Sequence, residues 1–217
     1  MEDSTSKEKL LKNVRDALIL SEKTEPPYPL IDKDGAVFQP LTEPLDVSFA
    51  EALIKVAGKF FYCENEDDFL TNLQSFILEK DWPLLFCYDP VLQGLLHQAG
   101  IPYESDIEKI PEAKLGITRC ETLVARLGTI VVSSRVSPGR KMTVYPEIHI
   151  VLAYSSQLVP DLKDAISFIR DKYKEDFPSM ISLITGPSRT ADIEKTLVMG
   201  AHGPRELYVF LIDDNNI

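Results

Sequence analysis

Short apolar runs alternate with amphipathic helical patterns through most of this sequence, and this alternation restricts the possible folds more than any other feature. The runs are rich in aromatic and β-branched residues and have the length of buried strands. The predicted strands lie at 59–63, 83–88, 114–118, 129–134, 148–154, 180–185 and 206–212. The predicted helices lie at 47–57, 66–80, 90–99 and 160–173. Near-continuous apolar strands that alternate with helices predict an α/β fold with a mainly parallel sheet and flanking helices on both faces.

Two segments depart from this alternation. The strands between residues 114 and 154 follow one another closely, which predicts an antiparallel or hairpin element with Ser137-Pro-Gly-Arg140 as its turn. Residues 7–20 have an apolar helical stripe, and the prolines that follow predict an irregular connector. We therefore predict an N-terminal helical arm with a proline-rich connector over 1–45 and an α/β domain over 46–217.

The charge and hydropathy of the chain exclude several classes of function. A net charge of −11 and a pI of about 4.8 argue against a nucleic-acid partner, because phosphate binding requires clustered Lys and Arg. No apolar run approaches the roughly 18 residues of a membrane span. The first residues also lack the pattern of a signal peptide, so we expect a cytoplasmic protein.

Cysteine and histidine usage argues against a metal or cofactor bound to this chain. Cys63, Cys87 and Cys120 are widely separated, and none forms a C-x-x-C pair. We expect free thiols, with Cys63 and Cys87 behaving as small buried hydrophobes, and neither a disulfide framework nor a zinc site. The three histidines have no ligand spacing, and an ordinary iron–sulfur cluster requires more cysteines than this chain supplies.

The richest polar motif lies between the last two predicted strands. It comprises Gly186-Pro-Ser-Arg-Thr-Ala-Asp-Ile-Glu194 and the later segment Gly200-Ala-His-Gly-Pro204. We expect the two segments to meet at the carboxyl edge of the sheet, where α/β proteins bind ligands. The candidate ligand-binding residues in it are Gly186, Pro187, Ser188, Arg189, Thr190, Asp192, Glu194 and Gly203, and the candidate catalytic residue is His202.

Each of these residues also has a structural interpretation. Ser188 and Thr190 either donate hydrogen bonds to a carboxylate or phosphate or simply cap a following helix, whose first turn would include Asp192 and Glu194. Arg189 either binds a carboxylate through its guanidinium or forms a salt bridge with one of those two acids. His202 either acts as an acid or base or occupies a tight turn between backbone partners.

A basic cluster and a lone histidine have two interpretations each. Arg135, Arg140 and Lys141 either close over an anion or form a solvated hairpin tip. For His149, a buried ring near the start of a strand is favoured over a metal ligand.

The motif tract closely resembles the C-terminal signature of the LUD (lactate utilization) family, in particular its small C-type subunit. Upstream, Pro146 and His149 stand where that family has a proline and a histidine entering a strand, and Gly128-Thr129 matches its Gly-Thr before another strand. The resemblance covers residues from about 114 to 212. It departs from the family pattern after Ala125, where Arg126 and Leu127 replace the usual acidic and hydroxyl residues.

The resemblance implies the modified Rossmann-like architecture shared with sugar-phosphate isomerases and CoA transferases. It implies a cluster-free subunit of an iron–sulfur oxidoreductase complex that oxidises L-lactate to pyruvate, with the clusters on partner subunits. The ligand would be a small carboxylate or a nucleotide, with Gly128 and Thr129 added to the candidate ligand-binding residues. The alternative is a stand-alone protein or enzyme of the same fold that acts on a sugar phosphate or a CoA-linked molecule.

Overall fold

The computed structural model describes residues 7, 9, 11–13, 15, 40–82, 84–136, 141–191, 197–200 and 203–214. The chain divides into two compact units, residues 1–40 and 41–217. In the first unit, residues 7, 9, 11–13 and 15 are helical. Leu10, Val14 and Leu18 of the predicted apolar stripe lie outside the described residues. The division into 1–45 and 46–217 stays a prediction.

The second unit contains the α/β fold. Its helices are α1 (Leu45–Lys55), α2 (Glu66–Glu79), α3 (Pro90–Gln98), α4 (Lys141–Val144) and α5 (Leu162–Tyr173). Its strands are β1 (Lys59–Cys63), β2 (Leu85–Cys87), β3 (Tyr103–Glu104), β4 (Leu115–Arg119), β5 (Thr122–Val124), β6 (Thr129–Ser133), β7 (Ile148–Tyr154), β8 (Leu158–Val159), β9 (Ile181–Ile184), β10 (Arg189–Ala191), β11 (Leu197–Met199) and β12 (Glu206–Ile212).

The main sheet is parallel throughout its described strands. Its order is β1-β12-β7-β4-β2-β3, and every neighbouring pair runs in the same direction. The strand β12 lies between β1 and β7, with Val209 opposite both Phe60 and Val151. This arrangement confirms the predicted α/β fold with a mainly parallel sheet.

A second sheet, of order β8-β5-β6-β9, corrects the predicted hairpin. The antiparallel pair inside the region 114–154 is β5 with β6, whose connection ends at Gly128 with a left-handed φ of 60°. A hairpin turn at the predicted position would join β6 to β7, but these two strands belong to different sheets. The proposed turn at residues 137–140 lies outside the described residues. Strand β9, at the predicted 180–185, also pairs with β6 in this second sheet.

The two faces of the main sheet carry different layers because successive strand residues point to opposite sides. On one face, α2 and α3 bury Phe69, Leu73, Leu92 and Leu96 against core residues that include Ile150 and Phe210. On the other face, α1 and the second sheet bury Phe49, Leu53, Ile130 and Val132 with Val151 and Val209. Helix α5 covers the second sheet, where Ala165 and Ile169 pack with Val124 and Val131. One predicted helical layer is therefore partly replaced by a second sheet.

Candidate functional site

The order of the main sheet identifies where a ligand site is expected. From β2 the chain adds β3 on one side, and it then returns to form β4 on the other side of β2 and continues through β7 to β12. The direction of strand addition therefore reverses between β2 and β4. Open α/β sheets bind ligands outside the carboxyl ends of the strands at such a reversal.

An ion pair stands at this point. The Asp89 carboxylate, two residues after β2, accepts hydrogen bonds from Nε (2.7 Å) and Nη2 (3.1 Å) of Arg119, the final residue of β4. The same carboxylate caps α3 by accepting the backbone N–H of Val91 at 2.9 Å. The Asp89 side chain is 5% exposed and that of Arg119 is 32% exposed. Asp89 thus holds the guanidinium in one orientation while leaving part of it accessible.

A cleft of about 360 Å³ opens beside this ion pair, and we call it the switch-point cleft. Its lining residues are Tyr88, Asp89, Pro90, Ile107, Arg119, Ser134, Arg135, Val136 and Lys141. Arg135 pairs with Asp176 and Lys141 has no ionic partner among the described residues. In a chain of net charge −11, a lining with more cations than carboxylates favours an anion.

Only part of this cleft was predictable from the sequence. Arg135 and Lys141 belong to the predicted basic cluster, and the structure places both in the lining. The third residue of that cluster, Arg140, lies outside the described residues. Asp89 and Arg119 were missed. The Asp-Pro step at the start of a helix was a usable sign of a capping acid, but its arginine partner depends on strand order.

The two motif segments do meet, but at the other edge of the main sheet. Ser188 donates its backbone N–H to the Pro204 carbonyl at 2.8 Å and accepts the N–H of Gly200 at 2.9 Å. Arg205 then donates its N–H to Glu147 at 2.7 Å, just before β12 and β7 begin. The predicted position at the carboxyl edge is therefore wrong. The physical reason is that β9, which leads into the motif, belongs to the second sheet.

Two short antiparallel strands, 189–191 and 197–199, follow Ser188. Strand β10 pairs antiparallel with β11, with Thr190 opposite Val198. The predicted helix after Ser188 is therefore wrong, and with it the capping role given to Ser188 and Thr190: ladder pairing of 189–191 with 197–199 takes the place of helical hydrogen bonds. The side chains of Asp192, Glu194 and His202 lie outside the described residues.

Several motif residues surround the C-terminal end of α1. Arg189 donates a hydrogen bond from Nη2 to the Val56 carbonyl, at a helix end that favours a cation. Gly186 has a φ of 82°, and a Cβ there would lie 2.4 Å from that same carbonyl oxygen. A Cβ on Gly128 would lie 2.4 Å from the backbone nitrogen of Leu53. These contacts give the motif a structural role, while the ligand-binding roles of its residues stay predictions.

Other candidate residues in this region are also buried or in contact with neighbouring residues of the protein. The Thr129 hydroxyl lies 2.8 Å from the Thr185 hydroxyl and is almost fully buried. Pro187 is buried, and Gly203 lies against Ser188, where a Cβ would be 3.1 Å from the serine Cβ. None of these residues lines the switch-point cleft.

The departure from the family pattern at Arg126 and Leu127 has a local explanation. Arg126 donates from Nε to Asp161 at 2.5 Å, and Asp161 is the N-cap of α5. The hydrogen bond from Arg126 lowers the pKa of the Asp161 carboxyl. Leu127 is 44% exposed. The substituted cation therefore fastens the β5–β6 connection to the start of α5.

His149 is buried at the start of β7, as expected. Its Nε2 lies 2.8 Å from the Thr118 hydroxyl, and its Nδ1 has no hydrogen-bond partner among the described residues. Complete burial lowers the pKa of the imidazole from 6.5 to about 4. The folded protein therefore holds His149 neutral over a range in which an unfolded chain would protonate it.

This difference predicts acid sensitivity. Because the folded pKa of about 4 lies below the unfolded value of 6.5, stability should fall as the pH decreases through that window. Between pH 7.5 and pH 4.5, His149 should reduce the free energy of unfolding by about 2.5 kcal/mol. Urea denaturation of the wild type and of His149→Gln at both pH values measures the contribution of His149 to the pH dependence of the free energy of unfolding. Equal pH dependence in the two proteins would rule out this contribution.

The cysteines match their predicted state. Cys63, Cys87 and Cys120 are free and buried. Burial raises the pKa of the Cys63 thiol to about 11 and that of Cys87 to about 12, so both are poor nucleophiles at neutral pH. Within the described ranges, no group of His, Cys, Asp and Glu is arranged to hold a metal ion, and no helix is both long and apolar enough to cross a membrane.

Known proteins resemble this chain in sequence and in fold. Lactate utilization protein C of Bacillus subtilis (strain 168) is 36% identical over 140 residues, which cover 64% of this chain and 56% of that protein. Lactate utilization protein C 1 of Bacillus mycoides (strain KBAB4) is 36% identical over 113 residues, covering 51% and 48%. The matched region thus spans about half the length of these curated relatives.

A solved structure supports the fold. The crystal structure of a DUF162 family protein from Deinococcus radiodurans superposes with a TM-score of 0.59 at 15% identity, covering 77% of this chain and 96% of that chain. The family model described as LUD domain matches residues 96–212. This match contains β4–β12, the motif and most of the switch-point cleft. The chain belongs to the LUD domain family, as its motif residues predicted.

Proposed function

We propose that this chain is a cluster-free subunit of an iron–sulfur oxidoreductase complex that oxidises L-lactate to pyruvate. The observation that carries the proposal is its 36% identity over 140 residues to a protein named Lactate utilization protein C. Oxidation of lactate releases two electrons and two protons. The electrons would pass to clusters on partner subunits, because the three cysteines of this chain are buried and separate.

The geometry supports an accessory role better than a catalytic one. Arg189 contacts the end of α1, and the backbone of Ser188 joins the two motif segments. These interactions hold the described motif residues together at the amino edge of the sheet, where a partner subunit could recognise them. The stand-alone alternative gains support from the switch-point cleft, which is separate from the motif.

Purification from the native host tests the proposal. We expect tagged chain to co-purify with cysteine-rich cluster proteins and with lactate-dependent dye reduction, and we expect depletion of the chain to remove that activity. Arg189→Ala and His202→Ala should each weaken co-purification. For Arg189→Ala, the loss of its hydrogen bond to Val56 should change stability by only about 1 kcal/mol.

The matched control is Arg170→Ala, which removes an exposed arginine of α5 that has no ion pair within the described residues. It should leave co-purification unchanged. A chain that is recovered alone, without lactate-dependent activity, would contradict the complex and favour the stand-alone alternative.

A further inference from the structure

We propose that the switch-point cleft binds an organic anion. The anionic group, a carboxylate or a phosphate ester, would lie at Arg119 and Lys141. The apolar body of the ligand would lie along Tyr88, Ile107 and Val136, which line the same cleft. This inference stands on the geometry of the cleft and is independent of the lactate role.

Arg119 provides a preorganised cation. One carboxylate cannot take up all the N–H donors of a guanidinium, and within the described part of the chain the side-chain hydrogen bonds of Arg119 engage Nε and Nη2 only. Asp89 is itself fixed, because its carboxylate also caps α3. Asp89 is therefore a positioning residue, and a ligand would not have to order the arginine on binding.

Lys141 adds a second cation. It is exposed at the start of α4 and has no ionic partner among the described residues, unlike Arg135, whose charge is shared with Asp176. A solvated lysine alone binds nothing specifically. Here it lines the same cleft as the oriented Arg119, so that two cations face one space.

The remaining lining selects an organic ligand over a bare ion. Tyr88 is 44% exposed, and Ile107 and Val136 are partly exposed within the cleft. An inorganic ion would leave this apolar surface in contact with water, whereas an apolar body would cover it. The volume of about 360 Å³ falls within the usual range of small-molecule sites.

Calorimetric titration of the full purified chain at low ionic strength tests the inference with matched probes. The probes with an apolar body are 3-phenyl-L-lactate and phenyl phosphate, and those without one are L-lactate and inorganic phosphate. We expect each phenyl anion to bind more tightly than its smaller counterpart, and the stronger of the two phenyl anions identifies the anionic group. Neutral 2-phenylethanol should not bind, and added salt should weaken the binding of the anions.

Variants locate the binding. Lys141→Ala and Arg119→Lys should each lower the affinity for the phenyl anions by roughly tenfold. Arg119→Lys does so because lysine lacks the guanidinium fork while still neutralising Asp89. Tyr88→Ala should lower the affinity for the phenyl anions to that for the smaller probes. Lys163→Ala on α5, an exposed lysine outside the cleft, should change nothing. The absence of saturable binding, equal binding of inorganic and phenyl phosphate, or binding that Lys141→Ala leaves intact would overturn the inference.

Discussion

Glu121→Ala is expected to lower the free energy of unfolding by about 2–4 kcal/mol, because it removes one buried carboxylate that accepts three hydrogen bonds. The Glu121 side chain is 0% exposed and accepts hydrogen bonds from Lys172 Nζ (2.8 Å) and the Tyr173 hydroxyl (2.8 Å). It also accepts the hydroxyl of Ser133, at the end of β6. Alanine would leave this buried hydroxyl without its acceptor and separate α5 from the strands beneath it.

Glu121→Gln is the matched control. The amide keeps an acceptor for Ser133 and Tyr173 but loses the charge opposite Lys172. Burial is the largest single effect and acts to lower the pKa of Lys172, but the hydrogen bonds and charge interactions with Glu121 and Tyr173 together outweigh it and the pKa is raised. We therefore expect Gln to cost about 1–2 kcal/mol, less than Ala, in urea denaturation at pH 7. Equal and small losses in both variants would show that the cluster contributes little to stability.

Gly128→Ala is expected to cost about 2–4 kcal/mol through two effects that act together. The residue has a φ of +60°, and an added Cβ would lie 2.4 Å from the backbone nitrogen of Leu53. Because the obstructing atoms belong to the backbone of α1, the helix itself would have to move. Thermal and urea denaturation measure the loss.

Substitutions at two other glycines allow the backbone effect and the steric effect to be measured separately. Gly100 has a φ of +66° with open space around its Cβ position, so Gly100→Ala reports the conformational cost alone, about 1–2 kcal/mol. Gly94 lies within α3 with nothing close, so Gly94→Ala should stabilise by about 0.5–1 kcal/mol. If Gly128→Ala retained full stability but lost function, the Gly-Thr step would instead serve a ligand.

Local sequence patterns predicted which segments form helices and strands, but they did not predict which strands lie next to one another. The period of the apolar residues placed α1, α2, α3 and α5 to within two residues at every end, because each buries one stripe. The same patterns could not show that β6 and β9 form a separate sheet. Apolar strands have the same composition in either sheet, and β5, with only three residues, is too short to show a period.

The candidate site was predictable only where its residues are consecutive. The motif was recognisable as one tract, and its two segments meet through the backbone of Ser188. Its position at the amino edge depends on which sheet contains β9, and no local pattern carries that information. Asp89 and Arg119 are 30 residues apart and join only because β2 and β4 are neighbours.

The position of β12 in the main sheet has a consequence for the folding of the chain. Among the described strands, β12 is the only partner of β1, and it also covers one side of β7. During synthesis, these two apolar strands must wait for residues 206–212, although both are made earlier. Sheets that depend on such distant pairing form slowly, and their open edges invite aggregation. A nascent chain of this protein should therefore need chaperone protection until β12 has left the ribosome.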